Sequence, residues 1–454
     1  MMNIRRNNVV YIIKWLLLSS LIGILVGTVD ALFLKALDRA LHWRNQFSLF
    51  YIGLPFALYL VYLLARKLYP HQLDYSTDAV IEKINTYRPV GIISAAKSLL
   101  LSILTMAAGG SAGKEAPCAD AGAGIASCVA QLFRMNKEDQ RKLMICGVSA
   151  GFAGVFGVPI SGALFGLEVL WVGHIFYEVM LPAFIAGITA FQVTTYWGVD
   201  YLYHPLHFAP VISEQFFFKV ILAGVFFGLV SIFVSEVLKF AKVVFRYIAV
   251  RTSPFWRSFI GGTILVLIGL WISPLYLGLG VEGFNHLLAG GSLANPFGFL
   301  IKAITTAITF AAGGVGGIIT PVFFIGAQAG ATFATWLGTD TTTMAALGLV
   351  AVLAGAANTP LAAIIMAIEL FGAPIAPYAT AACVVSFLMS GRHSIYASQR
   401  ISFDKKDDRP LNDTLSNAPR MASHKGIFLK TFKEMSKHLI PNAKGFDKEE
   451  KNKK

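Results

Sequence analysis

Residues 109–130 read GGSAGKEAPCADAGAGIASCVA, and residues 313–334 read GGVGGIITPVFFIGAQAGATFA. Gly109, Gly110, Gly113, Pro117 and Gly122 match Gly313, Gly314, Gly317, Pro321 and Gly326 at a constant offset of 204. A second pair of blocks follows in the same order: AGVFGVPISGALFGLEVL at 153–170 and AGAANTPLAAIIMAIELF at 354–371, at an offset of 201. Two matched blocks in one order predict two internal repeats, at about 50–200 and about 215–400, with a first helix ahead of them and a tail behind. The copies differ in charge. Lys114, Glu115 and Asp120 stand in the first, and the second has no charged residue at all.

The surrounding chain is apolar. Of 454 residues, 56% are hydrophobic and 14% charged, against about 25% charged in a soluble domain. That balance excludes an ordinary soluble protein and predicts a polytopic membrane protein in the lipid bilayer. Apolar segments run from 10–35 to 376–390. Many are shorter than the roughly 20 helical residues that a hydrocarbon core of about 30 Å requires. They follow one another without long polar loops, broken by GGSAGKEAP, GFAGVFGVP, GGVGGIITP and GAANTP. Breaks inside apolar sequence predict half-helices whose irregular backbone is buried in protein or lines a polar cavity. Paired broken helices in two repeats are the mark of a transporter, with the ligand near the midplane.

The net charge of +13 gathers at the ends, at Arg5 and Arg6 and in a lysine-rich stretch closing on EEKNKK. The positive-inside rule accounts for both ends without nucleic acid as a partner. It predicts a multi-pass protein of the cell membrane with both termini cytoplasmic and an even number of crossings. Residues 1–400 then form one membrane transport domain, and 401–454 a basic cytoplasmic tail. Within the tail, KGIFLKTFKEMSKHLI is weakly amphipathic and suits a membrane surface. The first apolar run lacks a small-residue cleavage site and reads as a retained helix. Cys118, Cys128, Cys146 and Cys383 lie in apolar stretches without metal or redox spacing, and read as small buried hydrophobes. No His-Glu-x-x-His, nucleophile elbow or histidine cluster is present, so neither an enzyme nor a metal or cofactor site is expected.

A half-helix that begins inside the membrane presents unpaired N–H groups and the positive end of its dipole, an anion site without a basic side chain. Gly113 and Gly317 allow the backbone to approach the ion. Pro117 and Pro321 fit the first helical turn. In the second copy Ile318 and Ile319 leave N–H groups for a mobile anion. In the first copy Glu115 offers a tethered carboxylate, which competes with an anion for such donors and is released on protonation. An acid inside the membrane is a functional candidate because its burial is costly. Asp120 reads as a structural hydrogen-bonding group or one that faces water, with a role in transport as the lesser alternative. Glu168 and Glu369 stand nine residues beyond the paired prolines, and their symmetry points to structural hydrogen bonding. Gly162 with Gly166, and Ala363 with Ala367, have the spacing of close helix contacts.

These residues resemble the CLC family of chloride channels and chloride/proton antiporters, over nearly all of residues 10–400. GKEAP at 113–117 resembles the family's GREGP motif, and GIITP at 317–321 its GxFxP motif; VPISGALFGLEV and NTPLAAIIMAIELFG resemble the segments that follow each. The resemblance implies an all-α, inverted-repeat fold of tilted and broken helices, and a homodimer with one pore per subunit. It implies that chloride and protons are the partners, that Glu115 is the external gate, and that the amides of Ile318 and Ile319 meet the central chloride. Tyr396, in GRHSIYASQ, corresponds to the tyrosine whose hydroxyl touches that ion.

The departures are specific. The family's GSGIP motif falls near Asp74–Asp78, where its glycines and proline are missing, and Tyr75 or Ser76 takes the place of its serine. Ile319 and Thr320 replace the commoner phenylalanine and alanine. The following FFIG is similar to the fluoride-exporting branch, but Ile318 stands where that branch carries glutamate. Val169 occupies the position of the antiporters' inner proton glutamate. Glu168 is one residue early, turned by about 100° on a helix.

A chloride/proton antiporter gated by Glu115 is the preferred expectation, because Glu115 is retained and members without regulatory domains are often antiporters. Val169 supports the alternative of a chloride channel or uncoupled carrier. A fluoride or other halide exporter is a third reading, and a membrane scaffold acting through its basic tail a fourth.

Overall fold

A computed structural model describes residues 2–68, 77–201, 203, 205 and 214–402, with side chains from Val9 onward. Sixteen α-helices form among these residues. The first eight are α1 (Met2–Asn45), α2 (Leu54–Leu68), α3 (Thr77–Asn85), α4 (Ile92–Ala107), α5 (Glu115–Leu132), α6 (Lys137–Phe156), α7 (Pro159–Glu168) and α8 (Tyr177–Tyr196). The second eight are α9 (Glu214–Arg251), α10 (Pro254–Trp271), α11 (Val281–Leu288), α12 (Gly298–Ala311), α13 (Ile319–Leu337), α14 (Thr341–Ala357), α15 (Pro360–Phe371) and α16 (Ala376–Met389). Helix α1 packs on α8 and α6 as α9 packs on α16 and α14. The first repeat therefore begins with α1 rather than near residue 50. A 44-residue helix with no counterpart of the glycine-proline frame hid that equivalence. The short α3 and α11 were not foreseen, because neither is apolar enough to stand out from its flanks.

Among the described residues, five helices are long and apolar enough to cross a bilayer, within Val9–Asn45, Phe50–Lys67, Tyr177–Tyr196, Glu214–Arg251 and Pro254–Trp271. The broken helices lie among them. α5 and α14 are buried along most of their length, as expected of helices apolar on every face. Glycine brings α5 onto α6 and α13 onto α14 at backbone contact. A Cβ on Gly122 would lie 2.6 Å from the Gly147 carbonyl carbon, and one on Gly326 would lie 2.8 Å from that of Gly348.

Caps explain why the two offsets differ. Asn136 accepts the Asp139 amide at 2.8 Å to open α6, and Asp340 accepts the Thr343 amide at 2.7 Å to open α14. Such side chains satisfy one of the orphan donors of a first turn. The helices close on left-handed residues, Gly157 at φ 72° and Asn358 at φ 57°. α6 has 20 residues and α14 has 17. The three residues missing from α14 turn an offset of 204 into one of 201.

Helices α7 and α15 cap each other. Glu168 accepts the amides of Leu361 and Ala362 at 3.1 and 2.9 Å, while Glu369 accepts those of Ile160 and Ser161 at 2.9 and 2.8 Å. Each carboxylate thus meets the positive end of the other repeat's helix. Within this all-α fold one short ladder forms: β1 (Trp171–Val172) pairs in parallel with β2 (Arg400–Ile401). This ladder ties the end of α7 to the segment after α16. Cys118, Cys146 and Cys383 are buried, but Cys128 is exposed on the outer side of α5 and is no core residue.

Candidate anion pathway

The paired loops meet around an approximate two-fold axis. Gly109 and Gly313 leave α4 and α12 with φ of 98° and 113°, a region that favours glycine. Each loop then hangs on a threonine of the opposite repeat. Thr309 accepts the Ser111 amide at 3.0 Å, and Thr105 accepts the Val315 amide at 3.0 Å. Beyond them Gly113 and Gly317 form an antiparallel bridge, each amide donating to the other's carbonyl at 2.7 Å. Helices α5 and α13 start from this bridge.

Glu115 crosses the axis. Its side chain, 1% exposed, accepts the Ile319 amide at 2.5 Å and the Thr320 hydroxyl at 2.8 Å. The acid of the first repeat thus occupies the helix start of the second, with Ile318 as the residue that caps it. The N–H groups of Gly113 and Gly317 are spent on each other and are not donors to an ion. What these glycines supply is space, since a Cβ on Gly317 would run into the Glu115 carboxylate.

Tyr396 is 2% exposed and interacts electrostatically with Glu115 and with Thr77 of α3. Thr77 opens α3, directly after the two residues expected at the inner end of the pathway. Tyr75 and Ser76 themselves lie outside the described residues, as does the stretch after Ser402. Val169 is buried, with its carbonyl accepting from Gln399 Nε2 at 2.8 Å. Both Glu168 oxygens are engaged at α15.

The glycines, Glu115, Ile319 and Tyr396 thus converge on the junction of α3, α5 and α13. Thr77, Thr105, Thr309 and the hydroxyl of Thr320 were not foreseen as parts of it. Thr105 and Thr309 stand four residues ahead of the paired glycines at the same offset of 204, so extending the repeat alignment upstream would have found them.

The profile of the family described as voltage gated chloride channel matches residues 57–391. The chain belongs to the CLC family. It is a multi-pass membrane protein of an anion-transporting family. Among CLC relatives, the chloride/fluoride channel protein of Pseudomonas syringae pv. tomato is 36% identical over 419 residues, covering 89% of this chain and 90% of the relative. Among solved CLC structures, a fluoride/proton antiporter aligns with a TM-score of 0.80 at 28% identity, over 86% of this chain and 98% of that one. A slow cyanobacterial chloride/proton antiporter aligns with a TM-score of 0.70 at 20% identity, over 83% and 94%, and shares the fold.

Proposed function

We propose that this CLC protein exchanges a small halide for protons, with Glu115 and the halide taking turns on the helix start of α13. The observation that carries this reading is the Glu115 carboxylate bound to the Ile319 amide and the Thr320 hydroxyl. Those donors suit a bare anion equally well. As a carboxylate, Glu115 holds the seat; protonated, it has lost the charge that bound it and yields to the halide. Each exchange then moves a proton on the side chain.

Fluoride is the favoured halide. The Thr320 hydroxyl is a compact donor for a compact anion. The relative at 36% identity is called a chloride/fluoride channel protein, and the structure at 28% identity is a fluoride/proton antiporter. Chloride is the second candidate, supported by Ile318 in place of the fluoride branch's glutamate. Tyr396 and Thr77 serve the ion from the inner side, and Gly113 and Gly317 keep room for it.

The orientation follows from charge. Lys14 near the start of α1 pairs with Asp139 of α6 at 2.7 Å. The same end of the molecule holds Arg134, Lys137 and Lys142. The positive-inside rule makes this the cytoplasmic face, with both termini there and residues 401–454 as a cytoplasmic tail. A homodimer with one pathway per subunit completes the reading.

The test is efflux from liposomes loaded with fluoride or chloride, with the halide and external pH recorded together. Uphill proton movement driven by the halide, abolished in Glu115→Gln, is expected, with fluoride faster than chloride. Halide efflux without coupled protons would make the protein a channel or uncoupled carrier, with Glu115 only a gate.

A further inference from the structure

Proton exchange requires a route between Glu115 and the cytoplasm, and the position that carries an inner glutamate in antiporters is Val169. Neither Val169 nor its neighbour can serve. Val169 is apolar and buried, and both oxygens of Glu168 cap α15. The route has to lie elsewhere.

A different acid stands near the pathway. Asp120 is on α5, five residues beyond Glu115, and so about 7.5 Å further along the axis at 1.5 Å per residue. The direction is toward the charged α5–α6 turn. Its side chain is 8% exposed. One oxygen accepts the Ser98 hydroxyl at 2.8 Å, and the other has no hydrogen-bond partner among the described residues. A carboxylate buried with an open oxygen is costly if its task is structural. Glu168 and Glu369, by contrast, have both oxygens satisfied.

Two further groups are coupled to Asp120. Half-buried Lys83 of α3 interacts electrostatically with Asp120 and with its own neighbour Glu82. Buried Tyr396 interacts electrostatically with Glu115, with Asp78 of α3 and with Asp120. Asp78 is engaged, accepting the Ser398 amide at 2.7 Å. Ser98 is the hydroxyl presented by α4. Asp120 is thus a buried acid with one open oxygen, on the same helix as Glu115 and coupled to both a half-buried cation and Tyr396.

We infer that Asp120 is the inner proton relay of this protein, in the place left by Val169. This rests on the reading of the protein as a proton-coupled exchanger. In the relay, a proton arriving from the cytoplasm along water beside Lys83 binds the open carboxylate oxygen of Asp120. The neutral acid then passes it to water beside Tyr396 and on to Glu115, and Asp120 returns to its anionic form. No net proton stays on Asp120, and Lys83 keeps its protons throughout. Tyr396 positions the last water rather than titrating.

The experiment measures halide flux and proton flux in liposomes for the wild type, Asp120→Asn, Asp120→Glu and Lys83→Met. In Asp120→Asn, halide flux is expected to stay within about threefold of wild type, while the proton-to-halide ratio falls at least tenfold. Asp120→Glu should restore coupling, which a merely structural requirement for the Ser98 contact does not predict. Lys83→Met should lower the proton-to-halide ratio while leaving halide flux intact. A coupled wild type whose ratio is unchanged in Asp120→Asn overturns the relay and leaves the exchanger reading standing. If Asp120→Asn does not yield monodisperse protein, an unchanged ratio in Lys83→Met overturns it instead. A wild type that moves no protons overturns both.

Discussion

The Thr320 hydroxyl donates to the Glu115 carboxylate at 2.8 Å, so a side chain of the second repeat holds the buried acid of the first. Thr320→Val keeps the volume and removes the donor. A hydrogen bond to a charged group contributes about 1.5–3 kcal/mol, and about 1.4 kcal/mol is a factor of ten. The preference for fluoride over chloride should fall roughly tenfold in Thr320→Val and recover in Thr320→Ser. Initial efflux rates read with ion-selective electrodes decide this; an unchanged preference would remove Thr320 from selectivity.

Gly317→Ala probes the space beside the bridge. Gly317 does not take a positive φ, so alanine fits the backbone and the pairing with Gly113 persists. The new Cβ occupies the position of the Glu115 carboxylate. Interiors are packed too densely for both to remain. Halide and proton fluxes should each fall at least tenfold with little change in thermal stability in detergent. Wild-type flux in this variant would mean that the carboxylate has another seat.

The mutual caps of α7 and α15 predict a different pattern. Glu168→Gln and Glu369→Gln each keep an acceptor and lose the charge facing a helix start. Each should cost roughly 1–2 kcal/mol of stability, read as a lowered unfolding temperature. The proton-to-halide ratio per folded molecule should not move. Loss of coupling in Glu168→Gln would show that this acid carries protons after all.

Lys302 tests a buried charge outside the pathway. It is 0% exposed, and its ammonium donates to the carbonyls of Tyr276, Leu277 and Gly278 at 3.2, 3.4 and 2.7 Å. Lys302→Met strands the Leu277 and Gly278 carbonyls, at roughly 1–3 kcal/mol for each buried group, while the Tyr276 carbonyl keeps the Thr305 hydroxyl at 2.9 Å. The variant should accumulate poorly, and whatever folds should transport with wild-type coupling. Lys302→Arg should not rescue it, since a planar fork does not fit a pocket shaped for a point charge. Normal expression of Lys302→Met would contradict this account.

Much of this architecture is legible in the sequence because glycine and proline act locally. Gly109 and Gly313 mark turns, and Pro117 and Pro321 mark first turns, so the repeat frame locates both broken helices. Glu115 was visible as an acid in apolar sequence. Its seat was less so, because its partners Ile319 and Thr320 come from the other repeat, 204 and 205 residues away. Thr105 and Thr309 look like ordinary polar residues in helices until their repeat spacing is noticed. Lys302 was hidden for the opposite reason. One lysine in an apolar run gives no hint of which carbonyls receive it, since those lie in the irregular stretch before α11. α1 was legible as a helix but not as part of a repeat, because its likeness to α9 lies in how each packs on the helices of its own half.

The crossing of Glu115 onto Ile319 also constrains how such a molecule can arise. Consider a half-length ancestor made of one repeat, pairing with a second copy of itself. Identical chains place identical loops on both sides of the axis, so both helix starts are plugged by an acid or neither is. A lone plug facing an open seat requires two loops that mutate independently. That freedom begins only when the halves are encoded in one polypeptide. A single chain holding both repeats thus does more than keep them together: it lets one loop be the key and the other the lock.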